Sequence, residues 1–256
     1  MNALGRVVLM IGALALGGTT SCKKEPDLAT IHREAGDRHL GKSEWKEAAE
    51  EYGQSLQADP KQEKIWEKKA YSHREAGDMD QAAAAILKTV DFKPDAAKKA
   101  EVYRNLGGMY MPTGGYDKAE KYFNEALKID PNDDASLSWL AELYSQRGGA
   151  RDMKAKAVPA DLDKALEYYE KVIALKPELP NSYLNERIVM AKYMEYERQQ
   201  KEAAEQEAQE NSKDKDKVEA AKAAAEKHQG RMDEFKKRFD ELTKKFSEAQ
   251  KKAKPQ

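Results

Sequence analysis

Apolar and small residues recur along this chain with two distinct rhythms. In the first three quarters, Ala48, Ala82, Ala119 and Ala165 each stand twelve residues before a proline (Pro60, Pro94, Pro131, Pro177). The proline spacings are 34, 37 and 46. A repeat near 34 residues predicts stacked helix–turn–helix units rather than one closed globular core. The last quarter obeys a different rule. Val218, Ala221, Ala225, His228, Met232, Phe235, Phe239, Leu242, Phe246 and Ala249 step by three and four in strict alternation, a heptad seam. Gly230 is its weak point, costing roughly 1 kcal/mol against alanine.

Each repeated position has a packing reason. Gly36, Ala70, Gly107 and Ala141 are small, so that the first helix of a unit can approach the second, which carries the repeated alanine. Larger residues fill the space between helices: Trp66, Tyr103 and Leu137 on first helices, Tyr52, Ile86, Phe123 and Tyr169 on second ones. Proline ends each second helix, because it bars the preceding residue from α geometry and donates no N–H. Gly41, Gly77 and Gly114-Gly115 mark the turns. His39 and His73 stand where a tyrosine would be usual and Lys69 where a leucine would, so the first two units stack less tightly. Three extra residues near Pro94–Ala100 lengthen the next helix. Twelve more, around 148–161, separate the fourth small position from its alanine, and a long internal loop of this kind is either functional or tolerated.

The third unit is the clearest: Tyr103, Leu106, Gly107 and Tyr110, then Ala119, Phe123, Ala126 and Pro131. It resembles the tetratricopeptide repeat, with its W-x2-L-G-x2-Y pattern followed by Ala, Phe, Ala and Pro. The resemblance covers about residues 28–178. It implies an all-α fold: a tetratricopeptide helix–turn–helix solenoid, followed by an antiparallel helical (coiled-coil) hairpin. The four units are placed at about 29–62, 63–96, 97–133 and 134–179, within 29–180. Residues 181–256 form the hairpin, with a helix from Tyr183 towards Glu210, a polar break at 211–216 and a helix from about Lys217 to Ala253. Folding back near residue 213 sets Tyr183, Met190 and Met194 against the stretch from Leu242 to Met232. It sets Ala204 and Ala208 against Val218 and Ala221. Self-association through the seam residues Met232, Phe235, Phe239, Leu242 and Phe246 is the rival use of that face.

The N-terminus reads as an address. Arg6 precedes the apolar run Val7 to Gly18, which at twelve residues is short for a membrane span of about 20. Residues 1–21 are therefore expected to be a signal peptide. The single cysteine, Cys22, excludes an internal disulfide and falls just after small residues. This resembles a bacterial lipoprotein signal, in which that cysteine is lipidated and 22–28 form the anchor and tether; an ordinary cleaved signal with an incidental thiol is the other reading. Lys23, where such families use aspartate for inner-membrane retention, implies the outer membrane, facing the periplasm. Several acyl chains would make the attachment stable.

Composition narrows the chemistry. The net charge of −1 arises from 45 basic and 46 acidic residues, so no global field attracts nucleic acid. His32, His39, His73 and His228 lack zinc-ligand spacing, and no phosphate-loop, nucleophile-elbow or zincin motif occurs. No enzyme and no metal or other cofactor is implied. Projecting the tetratricopeptide pattern, whose first helices line a concave groove, places Arg33, Asp37, Lys64, Glu67, Tyr71, Arg74, Arg104, Met111 and Glu142 on that face. Mixed charge with Tyr71 and Met111 suits an extended peptide or a partner helix. Chaperone-binding members clamp a C-terminal carboxylate; here Arg33, Asp37 and Lys68 stand at those places, and Asp37 would repel it. The sequence thus reads as a lipid-anchored scaffold for protein partners. An assembly factor for an outer-membrane secretin or pilus machine, and an envelope spacer acting through the hairpin, are narrower versions.

Overall fold

The computed structural model describes residues 27–149 and 157–253. The expectations for Cys22, the signal peptide, most of the tether and the middle of the 148–161 insertion lie outside those residues. Among the described residues the chain is helical with no strand. Four helix pairs follow one another: α1 (Leu28–Gly41) with α2 (Trp45–Ala58), α3 (Glu63–Glu75) with α4 (Met79–Leu87), α5 (Ala96–Tyr110) with α6 (Tyr116–Ile129), and α7 (Asp134–Arg147) with α8 (Pro159–Leu175). Two long helices close the array, α9 (Pro180–Glu210) and α10 (Lys215–Ala253). Each helix packs on its neighbour in the chain, which is the signature of a solenoid.

The small-residue rule explains the closeness within pairs. Ala48, Ala82, Ala119 and Ala165 are all fully buried. A Cβ added at Gly36 would lie 2.6 Å from the Tyr52 ring, and one at Gly107 would lie 2.5 Å from Phe123. Only a hydrogen fits there. The turns differ from expectation in one respect. Gly41 is the last residue of α1, and Ser43 takes the left-handed backbone (φ 59°) that a glycine was expected to supply. Gly77 and Gly114 do adopt it, at φ 82° and 72°. The extra residues near Pro94 form a 3-10 turn at Val90–Phe92 and an earlier start for α5, whose N-cap Asp95 accepts from Lys98 N (2.8 Å).

Packing divides the molecule in two. Ala48, Tyr52, Leu56 and Ile65 form a small cluster in the first two pairs. A far larger cluster runs from Ala83 of α4 through Val102, Phe123, Leu140, Tyr144 and Tyr169 to Tyr193 and Leu242, with Met79, Ile86 and Leu87 of α4 packed against it. Contact between α4 and α5 is sparse, and the lining there is mostly alanine.

The hairpin is grafted on as a fifth first helix. Trp66, near the start of α3, donates from Nε1 to Pro60 O (3.0 Å), six residues back. Tyr183, near the start of α9, donates from its hydroxyl to Pro177 O (2.9 Å), also six residues back. The same seating is thus reused at the end of the array. After that the helices keep going. At 1.5 Å per residue, α9 and α10 reach roughly 46 and 58 Å, against roughly 21 Å for a 14-residue helix of the array.

Candidate interaction face

Four of the nine projected groove residues are engaged by the chain itself. Met111 is the one the structure overturns. It opens a 3-10 turn (Met111–Thr113) at the end of α5 and is 7% exposed, within the large core. A projection that extends α5 as a regular helix puts it on the wrong side of that turn. Arg104 reaches across to α7 and donates to both Asp133 oxygens (2.8 and 3.0 Å). Asp133 is the N-cap of α7 and also accepts from Ser136 N (3.1 Å), so Arg104 fastens one pair to the next. Glu142 accepts from Tyr169 Oη (3.2 Å) and Gln146 Nε2 (2.8 Å), linking α7 to α8. Asp37 accepts from Tyr52 Oη (2.6 Å) and Lys68 Nζ (2.7 Å). Burial pushes the Asp37 carboxyl up, but those two donors outweigh it and hold it below the usual carboxylate range. Burial and then Asp37 push the Tyr52 phenol up.

The remaining five cluster on the first two pairs. Tyr71 is 42% exposed at the middle of α3. Trp45 meets its ring edge-on (5.9 Å between centroids), and the Arg74 guanidinium lies 5.1 Å above the ring. Arg74 also reaches Glu75 (3.1 Å). Lys64 and Glu67 are exposed on the same helix. Glu67 sits 4.0 Å from Lys93, and Lys64 has no ion-pair partner among the described residues. Arg33 makes a long hydrogen bond to Thr30 Oγ1 (3.5 Å) and adds its charge to those that hold the Asp37 carboxyl down. An aromatic pair capped by a guanidinium, beside an uncommitted ammonium, has the composition of a protein-binding hot spot.

The hairpin seam is spent inside the chain. Phe235 stacks on Tyr193 of α9 at 4.6 Å. The Arg187 guanidinium covers Phe239 and Phe246, at 4.6 and 5.8 Å. Leu242 is buried and Met232 half-buried. What the seam pattern does not reveal is its charge. Glu186, Lys192 and Glu197 on α9 are 1%, 3% and 0% exposed. Glu186 is paired with Arg238, which also holds Glu170 of α8. Burial raises the Glu186 carboxyl, with Arg238 opposing. Glu197 takes His228 (2.5 Å) and Arg231 (3.0 Å) from α10. Lys192 donates to the carbonyls of Ser145 and Gly149 (2.7 Å to the latter), while Tyr193 donates to Pro159 O (2.8 Å). Two adjacent residues of α9 therefore hold both ends of the insertion, whose neck is closed by Val158 N to Gly148 O (3.0 Å). The only legible signal was acidic residues recurring on one face of α9 opposite arginines of α10.

Among the described residues no group of three or more His, Cys, Asp or Glu side chains is placed to hold a metal ion. No helix there is long and apolar enough to cross a membrane.

Stacked helix pairs with an exposed aromatic and cationic face define a helical-repeat solenoid of the protein-interaction class. The chain carries tetratricopeptide repeats: that family matches residues 33–97, 100–133 and 160–179. Among curated proteins it is similar to the photosystem I assembly protein Ycf3 of Prochlorococcus marinus, 27% identical over 124 residues, covering 48% of this chain and 72% of that one. It is also similar to the Hsp70-Hsp90 organizing protein of Triticum aestivum, 24% identical over 122 residues, where it spans only 20% of the relative's length. Among solved structures, a crystal structure of MamA aligns over 90% of this chain and 97% of its own, at 20% identity and a TM-score of 0.48.

Proposed function

We propose that this protein is a non-enzymatic scaffold that binds protein or peptide partners through the face presented by α1, α3 and the start of α2. The observation that carries this reading is the Trp45–Tyr71–Arg74 ladder, with Tyr71 and Arg74 exposed and Trp45 half-buried, on the helix that also carries the exposed Lys64. It favours a partner with an apolar or aromatic anchor flanked by acidic groups. The engaged Lys68–Asp37 pair leaves little free charge for a terminal carboxylate at that point. The arrangement is lipid-anchored at Cys22 on the periplasmic side of a bacterial outer membrane, a part of the reading that rests on the N-terminal sequence alone.

An assembly-factor role has one supporting observation: relatives named for assembling and organizing other proteins are each similar to 48% of the chain. A spacer role would use the overhang of α9 and α10. Self-association through the seam phenylalanines has less to work with, because Tyr193 and Arg187 occupy them.

Crosslinking and pull-down from envelope fractions, comparing the wild type with Tyr71→Ala plus Arg74→Glu, tests the face. Loss of one or a few partners is expected; an unchanged set of partners ends this reading. Palmitate labelling of the wild type and Cys22→Ser tests the anchor, and an unlabelled wild type removes it.

A further inference from the structure

The second helix pair breaks the packing rule of its own repeat. In the third unit, Leu106 and Tyr110 are 0% and 4% exposed and belong to the core. The equivalent positions of the second unit hold Lys69 and His73, both half-buried. They line a cleft of about 440 Å³ formed by α2, α3 and the start of α4, along with Gln54 and Gln81. Gly53 makes the room, since a Cβ there would lie 3.4 Å from Lys69 Nζ. The ammonium rests 5.6 Å from the Trp66 ring and, among the described residues, forms no ion pair.

The acids of the cleft do not neutralise it. Asp78 is the N-cap of α4, accepting from Gln81 N (3.2 Å), and Glu50 is exposed. Lys46 adds a further cation at the rim. Burial lowers the Lys69 pKa; burial and then Lys69 itself lower that of His73, against the pull of Asp78. The Lys69 ammonium thus shares a partly desolvated space with an imidazole that burial and Lys69 itself keep from charging, and has no dedicated counter-charge, a costly arrangement where leucine would pack. Local violations of the packing pattern concentrate at functional sites.

We propose that this cleft is an oxyanion site, in which Lys69 and His73, assisted by the side-chain amides of Gln54 and Gln81, receive one carboxylate or phosphate group. It is built on α2, α3 and α4 and uses none of Tyr71, Arg74 or Lys64, so it is independent of the partner face. The oxyanion supplies the charge the cleft lacks, and every group named can donate to it.

The test follows the imidazole proton resonances of His73, assigned with His73→Gln, in low-salt buffer. Inorganic phosphate and an acetylated triglutamate peptide are titrated separately. Saturable movement of the His73 signal, with its titration midpoint shifted upward in the bound state, is expected. A response to phosphate alone identifies a free oxyanion as the source. A response to the peptide alone identifies a carboxylate from a partner chain. Lys69→Leu is expected to weaken binding roughly tenfold or more while raising the thermal midpoint. Lys69→Met repeats the measurement with an unbranched chain. Failure of both probes to move His73, unchanged binding in both variants, or a lower thermal midpoint in both overturns the proposal.

Discussion

The two halves of this solenoid are built from the same repeat and packed to very different degrees. In α4 to α10, alanines, tyrosines, phenylalanines and leucines join into one continuous core, and the buried Glu186 and Glu197 within it are each paired with bases of α10. In α1 to α3, the cluster reduces to Ala48, Tyr52, Leu56 and Ile65, while Lys69 and His73 take positions that the other region fills with apolar groups. Repeat arrays gain stability from nearest-neighbour interfaces, so the small α2–α3 cluster, separate from the large one that begins at Ala83 of α4, makes α1 to α3 a softer head on a firm support. The uncommitted Lys64 and Lys69 and the Trp45–Tyr71 pair all lie in the head. Binding surface and low packing density thus coincide.

The sharpest way to break this comparison is a matched pair of core lesions. Phe123→Ala removes a fully buried ring against Gly107 and should cost about 3–5 kcal/mol. Leu56→Ala should cost about 2–4 kcal/mol but act locally, melting α1 to α3 first. Trp45 and Trp66 report on the head and Trp139 on the support, so single-tryptophan variants separate the two by fluorescence during urea unfolding. Coincident transitions for all probes in both variants would show one cooperative unit and cancel the division.

A smaller effect is expected at the buried charges of the support. Arg238→Met leaves Glu186 without its counter-charge and should cost about 3 kcal/mol, the low end for a broken buried pair because Arg238 is itself 40% exposed. The pH dependence has a definite sign. The folded-state pKa of Glu186 is raised above its ordinary value of 4.5, so the folded state binds the proton more readily. Protonation therefore favours folding, and acidifying from pH 7 towards 4.5 should recover part of the loss in the variant. Chemical denaturation at several pH values measures it; a variant whose deficit grows on acidification contradicts the assignment.

Smaller still is the close approach within pairs. Gly107→Ala drives a methyl group against Phe123 and should cost about 1–3 kcal/mol. This contact was legible beforehand: a small residue and a large one sixteen apart recur as Gly36 with Tyr52 and Gly107 with Phe123. Helix periodicity carries such information, because steric fit depends only on residue size and spacing. It does not carry partners. Arg104 and Glu142 were rightly placed on first helices, but nothing local predicts that Asp133 and Tyr169 will claim them. Met111 failed for another reason: the helix tightens into a 3-10 turn at that residue, and the regular projection ends there. Glu186, Lys192 and Glu197 were invisible as buried groups, since a charge at a helical surface position reads the same whether water or an arginine 52 residues away in sequence completes it.

The smallest effect provides the closest contrast, because it repeats the Arg238 experiment in the head. Lys68→Met removes the partner of Asp37, just as Arg238→Met removes that of Glu186. Here both side chains are about 40% exposed, so water replaces the ammonium readily and the loss should stay below about 1 kcal/mol. The direction of the carboxyl shift is reversed. The Asp37 carboxyl is held below its ordinary 3.8, so the pair contributes above that value and is lost as pH falls through the lower folded-state pKa. The variant and wild type should therefore differ slightly at pH 7 and converge in acid. In the support the deficit also narrows on acidification, but from a several-fold larger start and at higher pH, where a raised rather than lowered carboxyl takes up its proton. Added salt should shrink the Lys68 deficit and leave most of the Arg238 deficit, because screening reaches only the exposed pair. Equal salt sensitivity of the two would mean that the halves do not differ in burial as described.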